Sequence, residues 1–138
     1  MTAAPQIAGL GARVHLFVHP DLRDEFTAFL RNVLGCEVLE RDFGMEHPIL
    51  LVPFPDRSAF SVEFSDRAPS TRPQSRVDDG TAFRGAWIEF RTSDVKQMQQ
   101  RLRDAGIPEF SHPGSNHTYF SAPGGQVFRI LDLTYTGP

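Results

Sequence analysis

An α+β fold of two consecutive βαβββ modules is predicted by two features of this 138-residue sequence. The first is that one order of patterns, a strand followed by a helix and three further strands, occurs twice along the chain. The second is a segment poor in large apolar residues, 66–82, that separates the two occurrences. We place module 1 at about 12–65 and module 2 at about 83–134. Both belong to one domain, 1–138, because a chain of this length suits a single core.

Module 1 starts with a strand at 12–19, where alternation puts His15 and Phe17 on one face and the aliphatic residues on the other. Apolar residues at three- and four-residue spacing from Leu22 to Leu34 predict an amphipathic helix, which Gly35 ends. Three further strands are predicted at 36–42, 49–54 and 59–65. The last of these alternates cleanly, with Phe60, Val62 and Phe64 on one face and Ser61, Glu63 and Ser65 on the other.

Module 2 repeats this order with a strand at 86–91 and a helix that Ser93 or Asp94 caps and Gly106 ends. Its other strands are predicted at 107–112, 117–121 and 126–133, the last two joined by a hairpin at 122–125. The linker 66–82 is rich in Pro, Ser, Arg and Asp, so we expect it to be mobile and to join the modules or cover a pocket.

Charge and cysteine content exclude several classes of function. The net charge is −3, which offers no strong basic field to nucleic acid or to an anionic membrane, so neither is an expected partner. The single cysteine, Cys36, excludes an internal disulfide and a cysteine-based zinc cluster and favours a reducing compartment. Since the sequence has no signal-peptide pattern or long apolar run, we expect a cytoplasmic protein. It also has no phosphate-binding glycine loop, nucleophile elbow or serine-triad spacing.

Three segments carry a resemblance to a known family: 29–35 (FLRNVLG), 87–95 (WIEFRTSDV) and 122–130 (APGGQVFRI). Together with the doubled βαβββ order, they make residues 12–134 similar to the vicinal oxygen chelate superfamily, which includes glyoxalases, bleomycin-resistance proteins and extradiol dioxygenases. The resemblance implies two four-stranded sheets around a shared concave pocket. It also implies a divalent metal in enzyme members, with one ligand from the first and last strand of each module. The corresponding positions are His15, Glu63, Trp87 and Arg129.

Two of these four positions depart from the family pattern. An indole has no lone pair suited to a metal, and a guanidinium is a permanent cation without an acceptor, so Trp87 and Arg129 leave the site two ligands short. We therefore expect no metal, and a pairing of Glu63 with Arg129 in its place. Phe17 and Trp87 would line the pocket with aromatic rings, and Glu89 continues the face of Trp87.

The first functional hypothesis is thus a metal-free protein that binds a small aromatic or anionic ligand. The predicted ligand-binding residues are His15, Phe17, Glu63, Trp87, Glu89 and Arg129. The alternative is a glyoxalase-like lyase or isomerase, or a dioxygenase, that uses Zn, Ni, Mn or Fe. It would bind the metal through His15, Glu63 and displaced ligands such as Glu89 or His19. A purely structural interaction module would need none of these side chains. The resemblance, and weakly the count of 12 phenylalanines, favour a homodimer.

Overall fold

The computed structural model describes residues 13–70 and 85–137, and its element order matches the predicted one throughout. Module 1 consists of β1 (Val14–Val18), the helix α1 (Arg23–Ala28), β2 (Leu39–Arg41), β3 (Ile49–Pro53) and β4 (Ala59–Phe64). Module 2 consists of β5 (Trp87–Thr92), α2 (Val95–Asp104), β6 (Glu109–Phe110), β7 (Thr118–Ser121) and β8 (Val127–Asp132). The α+β fold of two βαβββ modules is therefore confirmed.

Each module forms one mixed four-stranded sheet with the same topology. Sheet 1 has the strand order β1-β4-β3-β2 and sheet 2 the order β5-β8-β7-β6. In both sheets the first and last strands of the module pair in parallel, and all other neighbours pair antiparallel. The parallel pairing brings residues of β1 and β4, which lie 46 positions apart in the chain, into direct register.

The helix of module 1 is irregular at both ends. A 3-10 turn, Pro20–Leu22, precedes α1, and a π-helical turn, Phe29–Val33, follows it. Pro20 suits the first turn because its missing N–H would have no partner there, and the His19 side chain accepts a hydrogen bond from the Asp21 N–H. Gly35 then adopts φ +70°, the left-handed conformation that ends the segment, while the Cys36 N–H donates to the Leu30 carbonyl.

Helix α2 is regular and begins where the sequence predicts. The Asp94 side chain accepts a hydrogen bond from the Gln97 N–H, which identifies Asp94 rather than Ser93 as the cap. Met98 and Leu102 are the buried residues of α2, one helical turn apart. The predicted hairpin at 122–125 is present, with the Gly125 N–H donating to the Ala122 carbonyl.

One hydrophobic core joins the inner faces of both sheets and the two helices. Phe60 of sheet 1 and Phe128 of sheet 2 lie 6.4 Å apart between ring centroids, and Phe29 contacts Phe120 at 6.0 Å. Most of the twelve phenylalanines are buried, which explains their number without a second chain. In each sheet, the residues that alternate with the core residues point away from the core. They form one surface on each sheet, which we call the outer face of sheet 1 and the outer face of sheet 2.

Most of the predicted linker lies outside the described residues, so its expected mobility stays a prediction. Its first part, 66–70, is described and begins with a turn in which the Ala68 N–H donates to the Ser65 carbonyl. Ala68 is buried against the domain. Within 13–70 and 85–137, no helix has the length and apolar character needed to cross a membrane.

Candidate functional site

Three polar side chains meet on the outer face of sheet 1. His15 Nδ1 lies 2.6 Å from Ser61 Oγ, and His15 Nε2 lies 3.1 Å from Glu63 Oε1. The register of β1 with β4 explains the contact, because it pairs His15 with Ser61 and places Glu63 one pleat further along the same face. The structure thus supports the predicted proximity of His15 and Glu63 and adds Ser61 to them.

The chemistry of the groups fixes the direction of one of the two hydrogen bonds. An ionised carboxylate only accepts, so Nε2 of His15 donates to Glu63. In the neutral form of the imidazole Nδ1 accepts from the Ser61 hydroxyl, and in the imidazolium form Nδ1 donates to Ser61 Oγ. The result is a continuous hydroxyl–imidazole–carboxylate relay.

The relay is open to solvent and lies beside a cavity. The side chains of His15 and Glu63 are 35% and 28% exposed. Ser61 also lines a cavity of about 440 Å³ at one end of sheet 1, whose walls include the apolar Leu39 and Leu51 and the cationic Arg13 and Arg57. Phe17 packs edge-on against the His15 ring at 5.0 Å and is itself 61% exposed.

The outer face of sheet 2 carries a cluster of a different kind. The Arg129 guanidinium lies 4.0 Å from the centre of the Trp87 ring. The same group donates from Nη2 to Glu89 Oε1 at 2.6 Å. Arg129 is only 7% exposed, whereas Trp87 is 43% exposed, so the indole covers the cation on one side and presents the rest of its surface outward.

Hydrogen bonding offsets the effect of burial on the pKa of Arg129. Burial by itself would lower the pKa of Arg129, but its hydrogen bonds to Glu89 and Tyr119 raise the pKa above its usual value. Among the described residues, Nε of Arg129 lacks a hydrogen-bond partner. Arg91 approaches the second oxygen of Glu89 at 3.8 Å. Two guanidiniums therefore share one carboxylate, which leaves this cluster with a positive charge.

The described residues do not bring the six predicted ligand-binding residues together within one chain. His15, Phe17 and Glu63 lie on the outer face of sheet 1; Trp87, Glu89 and Arg129 lie on that of sheet 2. Both faces point away from the shared core. The predicted Glu63–Arg129 pair is wrong: Glu63 bonds to His15, and Arg129 bonds to Glu89, its neighbour across the parallel strands. Alternation in the sequence shows on which face of its strand a residue lies, but it does not show which strands are neighbours in the sheets.

The sequence interpretation missed Ser61, Tyr119 and Arg91. Ser61 was assigned to the face of Glu63, and the parallel register of β1 with β4 would have been needed to place it opposite His15. Tyr119 is buried beside Trp87, with ring centroids 6.2 Å apart. Its cross-strand partner is Arg129. Alternation in 117–121 gives the face on which Tyr119 lies, but its position beside Arg129 follows only from the pairing of β7 with β8.

The donor set does not fit the divalent metal that the resemblance implies for enzyme members. His15 and Glu63 supply one nitrogen and one carboxylate, and Trp87 and Arg129 at the other two positions supply no lone pair. No group of three or more His, Cys, Asp and Glu side chains placed to hold an ion occurs within 13–70 and 85–137. The displaced ligands considered above have other contacts, since His19 caps the turn before α1 and Glu89 bonds to Arg129.

Cys36 lies apart from both outer faces, directly after Gly35. Burial raises the pKa of its thiol to about 11. The thiol is therefore protonated at neutral pH and packs against the hydrophobic core.

Comparison with solved structures identifies the fold as that of the glyoxalase/bleomycin resistance/dioxygenase superfamily. A superfamily member from Sphaerobacter thermophilus matches with a TM-score of 0.59 and 18% identity over 92% of this chain and 99% of that chain. TnmS3, an antibiotic binding protein from Streptomyces, matches with a TM-score of 0.60 and 17% identity over 93% of this chain and 98% of that chain. The fosfomycin resistance protein FosX from Listeria monocytogenes, solved with Mn(II) and sulfate, matches with a TM-score of 0.61 and 16% identity over 92% of this chain and 91% of that chain. No protein-family model matches the chain, and no curated protein sequence matches it.

Proposed function

We propose that this protein binds a small organic molecule with a planar aromatic part, without a metal, in a cleft that two copies of the chain form together. The observation that carries the proposal is Trp87, whose indole is 43% exposed while a buried guanidinium supports it from behind. TnmS3, which shares the fold, is an antibiotic binding protein, so the fold is compatible with such a role.

Trp87 is suited to stack a planar ligand. Arg129 holds the indole in place through the cation–π contact, so little side-chain freedom is lost when a ligand stacks on the exposed part of the ring. Phe17 on sheet 1 is the second large aromatic side chain that an outer face exposes, at 61%. Exposed aromatic rings on two sheet surfaces favour a partner with apolar surface.

An anionic substituent on the ligand fits the same face. Arg91 and Arg129 share the single carboxylate of Glu89, and the Arg91 side chain is 42% exposed. A carboxylate or sulfonate near Arg91 would compensate the remaining positive charge. The aromatic part supplies the contact area, and the anion fixes its orientation.

A second copy of the chain is the proposed cover for both outer faces. We place the outer face of sheet 1 of one protomer opposite the outer face of sheet 2 of its partner, which gives two equivalent clefts by two-fold symmetry. Charge favours this arrangement, because Glu63 on one face would meet the cationic cluster around Arg91 and Arg129 on the other. Phe17 and Trp87 would then form opposite walls of one cleft. The free Cys36 agrees with a cytoplasmic location for such a dimer.

Calorimetric titration with 2-naphthoate tests the ligand proposal. We expect saturable binding, weaker binding of uncharged 2-naphthalenemethanol, and still weaker binding of the non-planar cyclohexanecarboxylate. Trp87→Ala should weaken naphthoate binding about tenfold or more, since it removes the stacking surface. Phe43→Ala is the matched control, because Phe43 is 65% exposed but belongs to neither sheet. Naphthoate binding that is absent, or unchanged by Trp87→Ala, would contradict the proposal.

Two further measurements test the dimer and the absence of a metal. Light scattering at micromolar concentration should give twice the 15.5 kDa of one chain, and a monomeric mass would overturn the shared cleft. Titration with zinc, nickel or manganese should show no tight stoichiometric binding. The double variant Trp87→His, Arg129→Glu is expected to gain metal affinity in the dimer, because the shared cleft then places four nitrogen and oxygen donors, two from each protomer, on its walls. Tight binding by the wild type that His15→Ala abolishes would favour the metal-dependent alternative.

A further inference from the structure

The relay of Ser61, His15 and Glu63 has the order of groups that activates a serine hydroxyl. A hydroxyl is a weak nucleophile until a base within hydrogen-bond distance takes its proton. Here Ser61 Oγ lies 2.6 Å from His15 Nδ1, and the other ring nitrogen lies 3.1 Å from a carboxylate oxygen of Glu63. Glu63 thus selects the tautomer in which Nδ1 is free to accept the proton.

The relay has little value as a stabilising contact. All three side chains lie on the outer face, with His15 and Glu63 about a third exposed, and such exposed pairs contribute little to the free energy of unfolding. Accessibility, in contrast, is what a reacting hydroxyl needs. Beta strands also hold the three residues at fixed register, which is how rigid elements position reacting groups.

The cavity beside Ser61 provides room for a substrate. It has a volume of about 440 Å³, with Leu39 and Leu51 as apolar walls next to Ser61. Arg13 and Arg57 line the same cavity. Guanidinium groups in the wall of a cavity stabilise negative charge that develops on a carbonyl oxygen bound there.

We infer that Ser61 is a nucleophile and that the outer face of sheet 1 hydrolyses esters with an apolar acyl group. Ser61 Oγ forms a bond to the carbonyl carbon while its proton moves to Nδ1 of His15. The bond between that carbon and the alkoxy oxygen breaks, and the alcohol leaves with the proton from His15. Water then attacks the acyl-serine with His15 as base, which releases the acid and restores the hydroxyl. Glu63 is a positioning residue that acts through His15.

This inference does not rest on the proposed ligand cleft. Every contact it uses lies within one chain and within sheet 1, whereas the naphthoate proposal depends on Trp87 of sheet 2. Ser61→Ala should therefore abolish the ester reaction and leave naphthoate binding unchanged. Absence of naphthoate binding by the wild type contradicts only the ligand proposal, and absence of labelling at Ser61 contradicts only the ester reaction, so the two failures are distinguishable.

The experiment combines p-nitrophenyl butyrate with a fluorophosphonate probe on the full-length protein. We expect a burst of p-nitrophenolate and a covalent adduct that peptide mass spectrometry assigns to Ser61. Ser61→Ala should lose both, and His15→Gln should lower the labelling rate about 100-fold or more. Ser65→Ala is the matched control. Alternation places Ser65 on the same face as Ser61, and its hydroxyl accepts a hydrogen bond from the Arg67 N–H. Its labelling should equal that of the wild type.

Glu63 variants separate positioning from structure. Glu63→Gln should slow labelling, and Glu63→Asp should restore part of the rate, while both keep the melting temperature of the wild type within a few degrees. Thermal melting of every variant identifies any that fails to fold. The inference is overturned if folded wild type is not labelled at Ser61, or if His15→Gln is labelled as fast as wild type.

Discussion

The outer faces of the two sheets occupy the same place in a repeated fold and carry opposite chemistry. Phe17 pairs with Glu63 across the parallel strands of sheet 1, and Glu89 pairs with Arg129 at the equivalent register of sheet 2. Sheet 1 uses its positions for an exposed relay built on a histidine. Sheet 2 buries a permanent cation beneath an aromatic ring. Strand register therefore determines which positions face outward, and the side chains alone determine what each face does.

The largest difference between the faces is expected in the stability of their carboxylate variants. Glu89→Gln removes the counter-charge of Arg129, whose side chain is only 8% exposed. The loss should lower the free energy of unfolding by about 1–3 kcal/mol. The lower half of that range is expected because Glu89 itself is 38% exposed. Glu63→Gln leaves an accessible histidine and should cost less than about 1 kcal/mol. Urea denaturation of both variants measures the difference, and equal costs would show that burial of Arg129 has no energetic consequence.

A smaller difference is expected between the two exposed aromatic residues. Trp87→Ala removes the cation–π contact with Arg129 and should cost about 0.5–2 kcal/mol. Phe17→Ala removes a ring that is 61% exposed and should change the free energy of unfolding by about 0.5 kcal/mol or less. Thermal melting of the two variants at low protein concentration, followed by circular dichroism, compares them. A larger loss for Phe17→Ala would indicate that the sheet 1 face is covered in solution.

The smallest effect concerns two turns, one in each module and at different places in them, that use an aspartate in the same way. Asp56 before β4 and Asp132 at the end of β8 each accept hydrogen bonds from the residue two positions later, which lowers the pKa of both carboxyls below the usual 3.8. A lowered folded-state pKa stabilises the fold above that value, and the stability is lost as pH falls through the folded-state pKa. Melting temperatures measured from pH 5 to pH 2 should fall less steeply for Asp56→Asn and Asp132→Asn than for wild type.

The control for these turns is Asp24→Asn, whose carboxylate is 99% exposed. It should leave the acid profile unchanged. An acid profile that neither turn variant alters would contradict the role of these hydrogen bonds.

The sequence was sufficient for the order of elements because local signals mark them. Alternation fixed the face of each strand residue, Gly35 and Gly106 mark the ends of the helical segments, and the 122–125 turn marks a hairpin. The candidate site was predictable only in part. His15 and Glu63 follow from the resemblance, but the choice of partner for Arg129 depends on which strands are adjacent, and that is a long-range property. Arg129 pairs with Glu89, the carboxylate directly across the parallel strands, and not with Glu63 on the other sheet.

The parallel pairing of each module's first and last strands has a kinetic consequence. Ser61 and His15 are 46 positions apart, so their contact closes nearly the whole of module 1 into a loop. Such non-local pairings carry an entropic cost that must be met before the contacts form, and they slow folding. A nascent or partly folded module therefore displays strands and a helix without an assembled relay. The chemistry of the outer face is confined to the completed fold, and its appearance during refolding would report that β4 has docked beside β1.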